Sequence, residues 1–215
     1  MNEEIKNKLW KIANSHCGKS EYFLKPVHGN KLDSKCIFPA SYASYALELG
    51  SGWGEVAIEL AKQNPETGYI LMEKNVARVR STIREIKKYN IQNIRFLTMN
   101  FNWFLSELFH PEFFSVIILN FPDPWPKKKH FKHRTLNQGF LDSLFYLLKK
   151  EGKFLFATDH GPYGRTGIRL FRKDKRFYFT SAEYNFKRDN FPVSHFELEK
   201  KRECKRIYYL ERVKN

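Results

Sequence analysis

Cysteines are scarce in this chain, and their scarcity excludes two classes of protein. Only three occur, they lie far apart, and none forms a C-x-x-C pair. An odd and dispersed set neither builds a disulfide framework nor supplies a zinc site, so we expect no bound metal. We expect all three to be reduced and without a role: Cys17, Cys36 and Cys204.

Long apolar runs are missing as well. No stretch approaches the roughly 20 apolar residues that a membrane-spanning helix needs. The first residues, MNEEIKNKLW, are too acidic and too polar for a secretory signal peptide. We therefore expect a cytoplasmic protein that does not bind a membrane.

Negative charge is in short supply. The chain has 38 Lys and Arg against 23 Asp and Glu, a formal net charge of +15 and a pI near 9.7. This excess favours a polyanionic partner, nucleic acid first and an anionic membrane surface second. Composition alone also allows a merely soluble basic protein. At 215 residues, 42% hydrophobic and 16% aromatic, the chain is long and apolar enough for a folded domain.

Short apolar runs alternate with helical segments from residue 45 onward. This alternation predicts a doubly wound, mainly parallel, Rossmann-like α/β sheet of about seven strands with helices on both faces, and an antiparallel strand near the C-terminus. We predict one domain over residues 1–215, in which residues 1–44 form an irregular N-terminal arm with a helix at Glu3–Asn14 and residues 45–215 form the core. The predicted strands are Tyr45–Leu49, Tyr69–Met72, Ile94–Leu97, Ser115–Leu119, Lys153–Ala157 and Arg206–Leu210. The predicted helices are Glu55–Gln63, Val76–Tyr89, Thr135–Leu148 with Thr135 as N-cap and Gly152 just past its end, and one that begins near Pro162.

A glycine-rich turn follows the first predicted strand, in Glu48-Leu49-Gly50-Ser51-Gly52-Trp53-Gly54. Glycines let the backbone turn sharply and approach a ligand closely. The spacing G-x-G-x-G differs from the G-x-G-x-x-G of dinucleotide sites, and no P-loop G-K-[ST] is present. Glu48, which precedes the glycines, would repel a pyrophosphate but would attract a cationic amino-acid group. This favours S-adenosylmethionine as the ligand. A plain tight turn is the alternative. The candidate cofactor residues here are Glu48, Gly50, Ser51, Gly52 and Gly54.

Two further candidates follow the second and third predicted strands. Glu73 can accept hydrogen bonds from ribose hydroxyls, or it can be a surface carboxylate beside Lys74. The amide of Asn100, next to Phe101, can pair with an adenine edge or cap a helix. Because the acids and the amide follow successive strands, we favour the cofactor interpretation for this part of the chain. The candidate cofactor residues here are Glu73, Lys74, Asn100 and Phe101.

The most unusual stretch follows the fourth predicted strand, Asn120-Phe121-Pro122-Asp123-Pro124-Trp125-Pro126. Each proline fixes its own φ and pushes the preceding residue into extended conformations, so Asp123 lies on a stiff, non-helical loop. Five Lys or Arg side chains and two histidines follow in Lys127–Arg134. We interpret the loop as the segment that binds a nucleobase. Trp125 can stack on a base or pack within the loop, and we favour packing. The two histidines lack a third ligand, so a metal is not expected.

Together these features resemble the tRNA (guanine-N7)-methyltransferase family of class I methyltransferases, over most of the chain from Tyr45 onward. FPDPWPKKKHFKHR is the most specific part of the resemblance. The resemblance implies transfer of a methyl group from S-adenosylmethionine to N7 of a tRNA guanine, guanine 46 of the variable loop. It implies that Asp123 is catalytic, that Asn120 and Asp123 border the cofactor and that Lys127 contacts the substrate. It also implies RNA contacts for Lys128, Lys129, His130, Lys132, His133 and Arg134.

Two later segments extend the resemblance. Ala157-Thr158-Asp159-His160 matches a T-D motif that implies substrate binding by Asp159, although this residue can instead cap the next helix. Pro192–Glu197 resembles a T-x-F-E motif with serine in place of threonine. By that resemblance the substrate-binding residues are Ser194, His195, Phe196 and Glu197. A basic run between the two segments is either a solvated face or an RNA-facing one: Arg165, Arg169, Arg172, Lys173, Lys175 and Arg176.

The chain departs from the family at Lys129 and His133, where the family tends to have arginine, and in the residues after Glu197. Lysine lacks the planar fork that grips phosphate, and histidine is largely neutral at pH 7. These departures motivate a second hypothesis, a tRNA-binding protein with a vestigial cofactor pocket. A nicotinamide-dependent oxidoreductase is a distant third because the glycine spacing disfavours it. Monomer and homodimer both stay open.

Overall fold

The structure is a computed structural model that describes residues 3–15, 18, 20–180 and 182–215. The chain divides into two compact units, Met1–His110 and Pro111–Asn215. The prediction of one domain over the whole chain stays a prediction. Cys36 and Cys204 are exposed free thiols, whereas Cys17 lies outside the described residues.

The first unit contains a three-stranded parallel sheet. Its strands are β1 (Ser44–Leu49), β2 (Thr67–Met72) and β3 (Ile94–Leu97), and its helices are α1 (Glu3–Ser15), α2 (Ser34–Ile37), α3 (Glu55–Gln63), α4 (Val76–Lys88) and α5 (Leu105–Leu108). The strand order is β3-β2-β1. The register pairs Leu49 with Met72 and Met72 with Leu97, so the three carboxyl ends are level. The residues that follow these strands therefore share one edge of the sheet.

The N-terminal segment packs against the rest of the first unit. The predicted helix is confirmed as α1, and its Trp10 is buried in a stack on Phe104 with ring centroids 4.7 Å apart. Further along, Leu24 N–H donates to Phe96 O and Phe96 N–H donates to Tyr22 O, each at 2.8 Å. The apolar Tyr-Phe-Leu segment is thus buried along β3, although residues 20–33 form neither a helix nor a strand. The prediction that residues 1–44 are an N-terminal arm stays a prediction.

The second unit contains a mixed four-stranded sheet. Its strands are β4 (Phe114–Asn120), β5 (Leu148–Thr158), β6 (Phe177–Tyr178) and β7 (Tyr208–Lys214), and its helices are α6 (Gln138–Leu147), α7 (Gly161–Lys173) and α8 (His195–Arg202), with a 3₁₀ helix at Lys128–His133. The order is β4-β5-β7-β6, with β4 and β5 parallel and β7 antiparallel to both β5 and β6. Asn120 pairs with Ala157 and Thr158 with Tyr208. The ends of β4 and β5 and the start of β7 therefore share one edge.

The predicted fold class is confirmed: seven strands, mostly parallel, with antiparallel strands near the C-terminus and helices between them. No helix within the described ranges is long and apolar enough to cross a bilayer. Across the same residues no cluster of three or more His, Cys, Asp or Glu side chains is arranged to hold a metal ion.

The start of α6 corrects one prediction. The N-cap is Asn137, whose Oδ1 accepts from Phe140 N–H at 3.0 Å, and not Thr135. The residue before this cap is held by a tertiary contact, because Leu136 N–H donates to the buried Tyr163 hydroxyl at 3.1 Å. The helix ends at Leu147, and Gly152 lies inside β5 instead of just past the helix.

Candidate active site

The turn after β1 is formed by three glycines in the left-handed region. Gly50, Gly52 and Gly54 have φ of 72°, 61° and 77°, values that residues with a Cβ adopt only with strain. Gly50 N–H donates to Met72 O at 2.7 Å, which anchors the turn to the end of β2. A Cβ on Gly52 would meet no described atom within 4 Å. The turn therefore has open space beside it.

Two buried polar side chains next to this turn suit a ligand. The Ser51 hydroxyl is buried and has no hydrogen-bond partner within the described part of the chain. Leaving such a group unsatisfied costs about 1–3 kcal/mol. Glu48, at the end of β1, is also buried, and its carboxylate favours a cationic group and opposes a phosphate. The turn thus fits the methionyl end of S-adenosylmethionine, which carries an ammonium group.

Glu73 is fastened to the glycine turn. It is 5% exposed, its Oε2 accepts from Gly52 N–H at 3.0 Å and its Oε1 accepts from Asn75 N–H at 2.8 Å. The alternative of a plain surface carboxylate is therefore wrong. Each carboxylate oxygen retains a lone pair for another donor, so the predicted ribose contact stays a prediction, as does the role of the exposed Lys74.

Asn100 forms a turn instead of capping a helix. Its Oδ1 accepts from Asn102 N–H at 3.0 Å, while the N-cap of α5 is Phe104. The neighbouring Phe101 borders the glycine turn, because its Cε1 lies 3.7 Å from where a Cβ on Gly50 would be. The helix-cap alternative for Asn100 is thus wrong, and the adenine contact stays a prediction.

The sequence reasoning missed Thr82, which packs against the last glycine of the turn. A Cβ on Gly54 would lie 2.3 Å from Thr82 Cγ2. The Thr82 hydroxyl lies 3.0 Å from both Trp53 O and Arg78 O and ties α4 to the turn. No local signal could have identified this threonine, because its partner Trp53 lies 29 positions away along the chain.

In the second unit, Asp123 is exposed on a loop whose two ends are held in place. Phe121 and Trp125 have φ of 49° and 43°, which costs of the order of 1–3 kcal/mol at each non-glycine residue. Phe121 N–H donates to Ala157 O at 2.8 Å, and its ring packs on a cluster that includes Tyr209. The prediction of extended conformations before the prolines is therefore wrong for Phe121 and Trp125, because tertiary contacts hold these two residues in the left-handed region.

Arg134 braces the same loop from inside. The residue is 5% exposed, its Nε donates to Pro124 O at 2.8 Å and its Nη2 to Trp125 O at 3.4 Å. The guanidinium also stacks on the Phe131 ring, 3.7 Å from its centroid. The predicted contact between Arg134 and RNA stays a prediction. In the structure, the Arg134 side chain binds the backbone of the Asp123 loop.

We expect Arg134→Lys to lower kcat about tenfold while the affinity for the RNA substrate changes less than twofold. Lysine keeps the charge but loses the fork that binds two loop carbonyls, each worth about 1 kcal/mol. Steady-state kinetics and thermal unfolding measure the two effects. The matched control is Lys132→Ala, which removes an exposed charge from the same run. If Arg134→Lys instead weakened RNA binding and left kcat unchanged, Arg134 would be a phosphate contact.

The basic run after the loop is largely solvent-facing. Lys127 precedes the 3₁₀ helix as its N-cap. Trp125 packs within the run, with its ring centroid 5.6 Å from that of His130 and 5.2 Å from that of His133, which agrees with the packing interpretation. The exposed members are Lys127, Lys128, Lys129, Lys132 and His133, while His130 is half-buried. Their contacts with substrate and RNA stay predictions.

Glu197 is the most deeply buried carboxylate of the second unit, at 1% exposure. Its Oε1 accepts from the Tyr209 hydroxyl at 2.5 Å and from Lys201 Nζ at 2.7 Å, and its Oε2 lies 3.7 Å from an Arg188 nitrogen. Burial raises the pKa of Tyr209, and the hydrogen bond to Glu197 raises it further. Removing Glu197 should cost about 3–5 kcal/mol, because Tyr209 and the largely buried Arg188 would then lose the carboxylate that they share.

Arg188, which the sequence reasoning also missed, connects this cluster to the Asp123 loop. Its Nη1 donates to Asn120 Oδ1 at 3.2 Å, and its guanidinium stacks 3.7 Å from the Phe191 centroid. Asn120 is the last residue of β4 and lies three positions before Asp123. The structure thus links two predicted site residues, Asn120 and Glu197, through one cation. Asn120 is 68 positions away from Arg188, which explains why no sequence signal pointed to it.

The remaining predicted substrate residues lie at the ends of β5 and α8. Asp159 follows β5 and does not cap α7, whose N-cap is His160 with Nδ1 accepting from Tyr163 N–H at 3.2 Å. Ser194 caps α8, and its hydroxyl accepts from Glu197 N–H at 3.2 Å. Phe196 is exposed, and its ring centroid lies 5.0 Å from that of Phe121. His195 begins α8 beside them. Substrate binding by these residues stays a prediction.

The fold and the glycine turn define a class I methyltransferase that uses S-adenosylmethionine. A family model described as "Putative methyltransferase" matches residues 42–213. Among solved structures, a 30S ribosomal A1408 methyltransferase from an uncultured bacterium is similar with a TM-score of 0.58 at 16% identity, over 86% of this chain and 96% of the other. An S-adenosylmethionine-dependent O-methyltransferase from Thermotoga maritima has a TM-score of 0.52 at 14% identity, over 83% and 62%. At such identities these likenesses concern the fold alone.

The chain belongs to the tRNA (guanine-N7)-methyltransferase family. A protein of that name from Leptospira interrogans serovar Lai is 53% identical over 213 residues, which is 99% of this chain and 98% of the relative. One from Thermotoga maritima is 34% identical over 79% of this chain and 55% of the relative. One from Chlamydia caviae is 29% identical over 98% and 91%.

Proposed function

We propose that the protein transfers the methyl group of S-adenosylmethionine to N7 of a guanine in tRNA, and that the target is guanine 46 of the variable loop. The observation that carries the proposal is the exposed carboxylate of Asp123 on a loop fixed at both ends. Relatives that bear the name of this activity match nearly the whole chain. Every candidate residue lies within residues 45–215, which we propose as the catalytic core.

Asp123 acts by position and charge in this mechanism. Guanine N7 already carries an in-plane lone pair, so attack on a sulfonium methyl needs no general base. The carboxylate accepts from guanine N1–H and N2–H₂ and holds the base in one orientation. As N7 forms its bond to carbon, the purine becomes positive, and a fixed carboxylate favours that charge.

The first unit holds the donor. When bound, S-adenosylmethionine supplies a methyl group on a positive sulfur, which leaves as a neutral thioether. Glu48 favours the ammonium group of the donor, the Ser51 hydroxyl has an unused hydrogen-bonding position, and Glu73 accepts from the ribose. Asn100 and Phe101 border the adenine. The buried acids therefore select a cationic donor over a nucleoside phosphate.

Incubating the protein with tRNA and labelled donor tests the proposal. Digestion should release labelled 7-methylguanosine from the tRNA. A tRNA in which guanine 46 is replaced by adenine should accept no label, whereas replacement of another variable-loop base should leave the reaction intact. Absence of 7-methylguanosine with several tRNAs would reject the activity, and methylation at another guanine would reject only the position.

Filter binding and calorimetry separate the second hypothesis from the first. A tRNA-binding protein with a vestigial pocket would retain tRNA on a filter but give no heat with S-adenosylmethionine in calorimetry. The structure motivates the opposite expectation, because the glycine turn and its buried acids are intact.

A further inference from the structure

A pocket of about 430 Å³ lies in the second unit, outside the residues assigned so far. Its volume falls in the range of about 300–1,000 Å³ that small-molecule-sized ligands occupy. Its lining includes four arginines, one glutamate and three aromatic residues, and Arg172 is paired with Glu183. The other polar and aromatic lining residues are Arg165, Arg169, Arg206, Tyr184, Phe186 and Tyr208.

The aromatic rings form a cluster with exposed faces. Tyr184 and Phe186 have ring centroids 5.2 Å apart, and each lies within 6 Å of the Tyr208 ring, at 5.7 and 5.5 Å. The Phe186 side chain is 48% exposed and that of Tyr184 37%. Aromatic rings that pack against one another and are also exposed to solvent are suited to stacking on a planar ligand.

The arginines supply positive charge that the protein itself does not neutralise. Arg172, also on α7, is paired with Glu183. Within the described part of the chain, no carboxylate lies at ion-pair distance from Arg165, Arg169 or Arg206. The Arg206 guanidinium lies 4.8 Å above the Phe186 ring, so one cation is held next to the stacking surface.

The pocket adjoins the edge where the substrate residues lie. Tyr208 begins β7 and pairs with Thr158, the residue before Asp159. On the other side of Asp159, a Cβ on Gly161 would lie 3.1 Å from the Tyr208 hydroxyl. A chain of nucleotides with its guanine at Asp159 would therefore bring a neighbouring nucleotide to this pocket.

We propose that this pocket binds an unstacked nucleotide that flanks the target guanine, with its base on the aromatic cluster and its phosphate at the arginines. Proteins recognise single-stranded RNA in this way, by stacking bases on aromatic rings and binding the backbone with basic side chains. The inference rests on the proposed function, because it assumes an RNA substrate. It adds a second binding site, which contributes to affinity and to the choice of RNA.

The test compares Phe186→Ala and Arg206→Ala with two surface controls. Tyr89→Ala removes an exposed ring and Arg84→Ala removes an exposed cation, both in the first unit. Fluorescence anisotropy with labelled tRNA, repeated at several salt concentrations, gives affinity and its salt slope. We expect Phe186→Ala to weaken binding about fivefold to a hundredfold with an unchanged slope, because a base stack is worth about 1–3 kcal/mol. We expect Arg206→Ala to reduce the slope by about one.

Kinetics and crosslinking locate the nucleotide. Phe186→Ala should raise KM for tRNA and keep kcat and donor affinity, whereas a collapse of kcat would mean that the pocket holds the target base itself and would overturn the proposal. A photoreactive 4-thiouridine next to the target guanine should crosslink to the peptide that contains Tyr184 and Phe186. A crosslink elsewhere, or affinity equal to that of the controls, would also overturn it. If wild-type protein forms no 7-methylguanosine, the proposed function fails instead.

Discussion

Replacing Asp123 with alanine should lower the single-turnover rate of methyl transfer about 100-fold to 1,000-fold and leave the affinity for S-adenosylmethionine within twofold. The carboxylate acts on the base and on the charge that develops there, and losing one such preorganised group typically has this effect. Because the side chain is exposed and has no assigned structural contact, the free energy of unfolding should change by less than about 0.5 kcal/mol. Rapid-quench measurement of 7-methylguanosine and calorimetry with the donor check both statements.

Asp123→Asn and Glu85→Ala complete this experiment. Asparagine keeps the shape and one acceptor oxygen, but its NH₂ group opposes one of the two guanine donors and the negative charge is lost, so its rate should be nearly as low as that of alanine. Glu85 is an exposed carboxylate on α4 that is not a candidate site residue, and its loss should have no effect. Wild-type turnover in Asp123→Ala would transfer the catalytic role to Asp159 or Glu197.

Replacing Gly54 with alanine should weaken S-adenosylmethionine binding at least tenfold and destabilise the protein by about 2–5 kcal/mol. The new methyl group would lie 2.3 Å from Thr82 Cγ2, and the backbone has a φ of 77°. Overpacking costs about 1–3 kcal/mol, and a left-handed non-glycine residue about 1–2 kcal/mol more. The clash displaces the start of α3, and with it the turn that receives the donor. Calorimetry and urea unfolding measure the two effects.

A second substitution separates the clash from the backbone strain. Thr82→Ser removes Cγ2 and keeps the hydroxyl that binds Trp53 O. In the double variant, we expect recovery of about 1–3 kcal/mol of stability relative to Gly54→Ala, while the strain at φ 77° remains. Thr82→Ser alone serves as the control. If the double variant were no more stable than Gly54→Ala, the contact with Thr82 would not be the cause.

The sequence predicted those parts of the structure that depend on local patterns. Apolar runs identified every described strand except the two-residue β6, and the glycine turn carries its conformational preference in the residues themselves. The site residues that were missed act through partners far along the chain. Arg188 contacts Asn120 and Glu197 only in the folded chain, and the same holds for the contact between Thr82 and Trp53.

Arg134 shows why a charge run is an incomplete guide. In the sequence it is the last cation of a basic run, with the same appearance as its neighbours. In the structure its planar guanidinium binds carbonyls of the Asp123 loop and is 5% exposed. Burial of an arginine depends on the presence of enough acceptors around it, here the carbonyls of Pro124 and Trp125, and composition does not encode that arrangement.

The strand order of the second unit constrains the sequence of events in folding. β6 precedes β7 in the chain, but it is an edge strand that pairs with β7. β7 also pairs with β5, from which it is separated by α7, β6 and α8 along the chain. During synthesis β6 is therefore made before the strand that it pairs with. Closing the long loop between β5 and β7 costs chain entropy before the contacts between these two strands can offset that cost. Because β7 follows α7, β6 and α8 in the chain, Tyr208 can pair with Thr158 only after those segments have been synthesised. The edge beside Asp159 is therefore completed by a strand that is made well after β5.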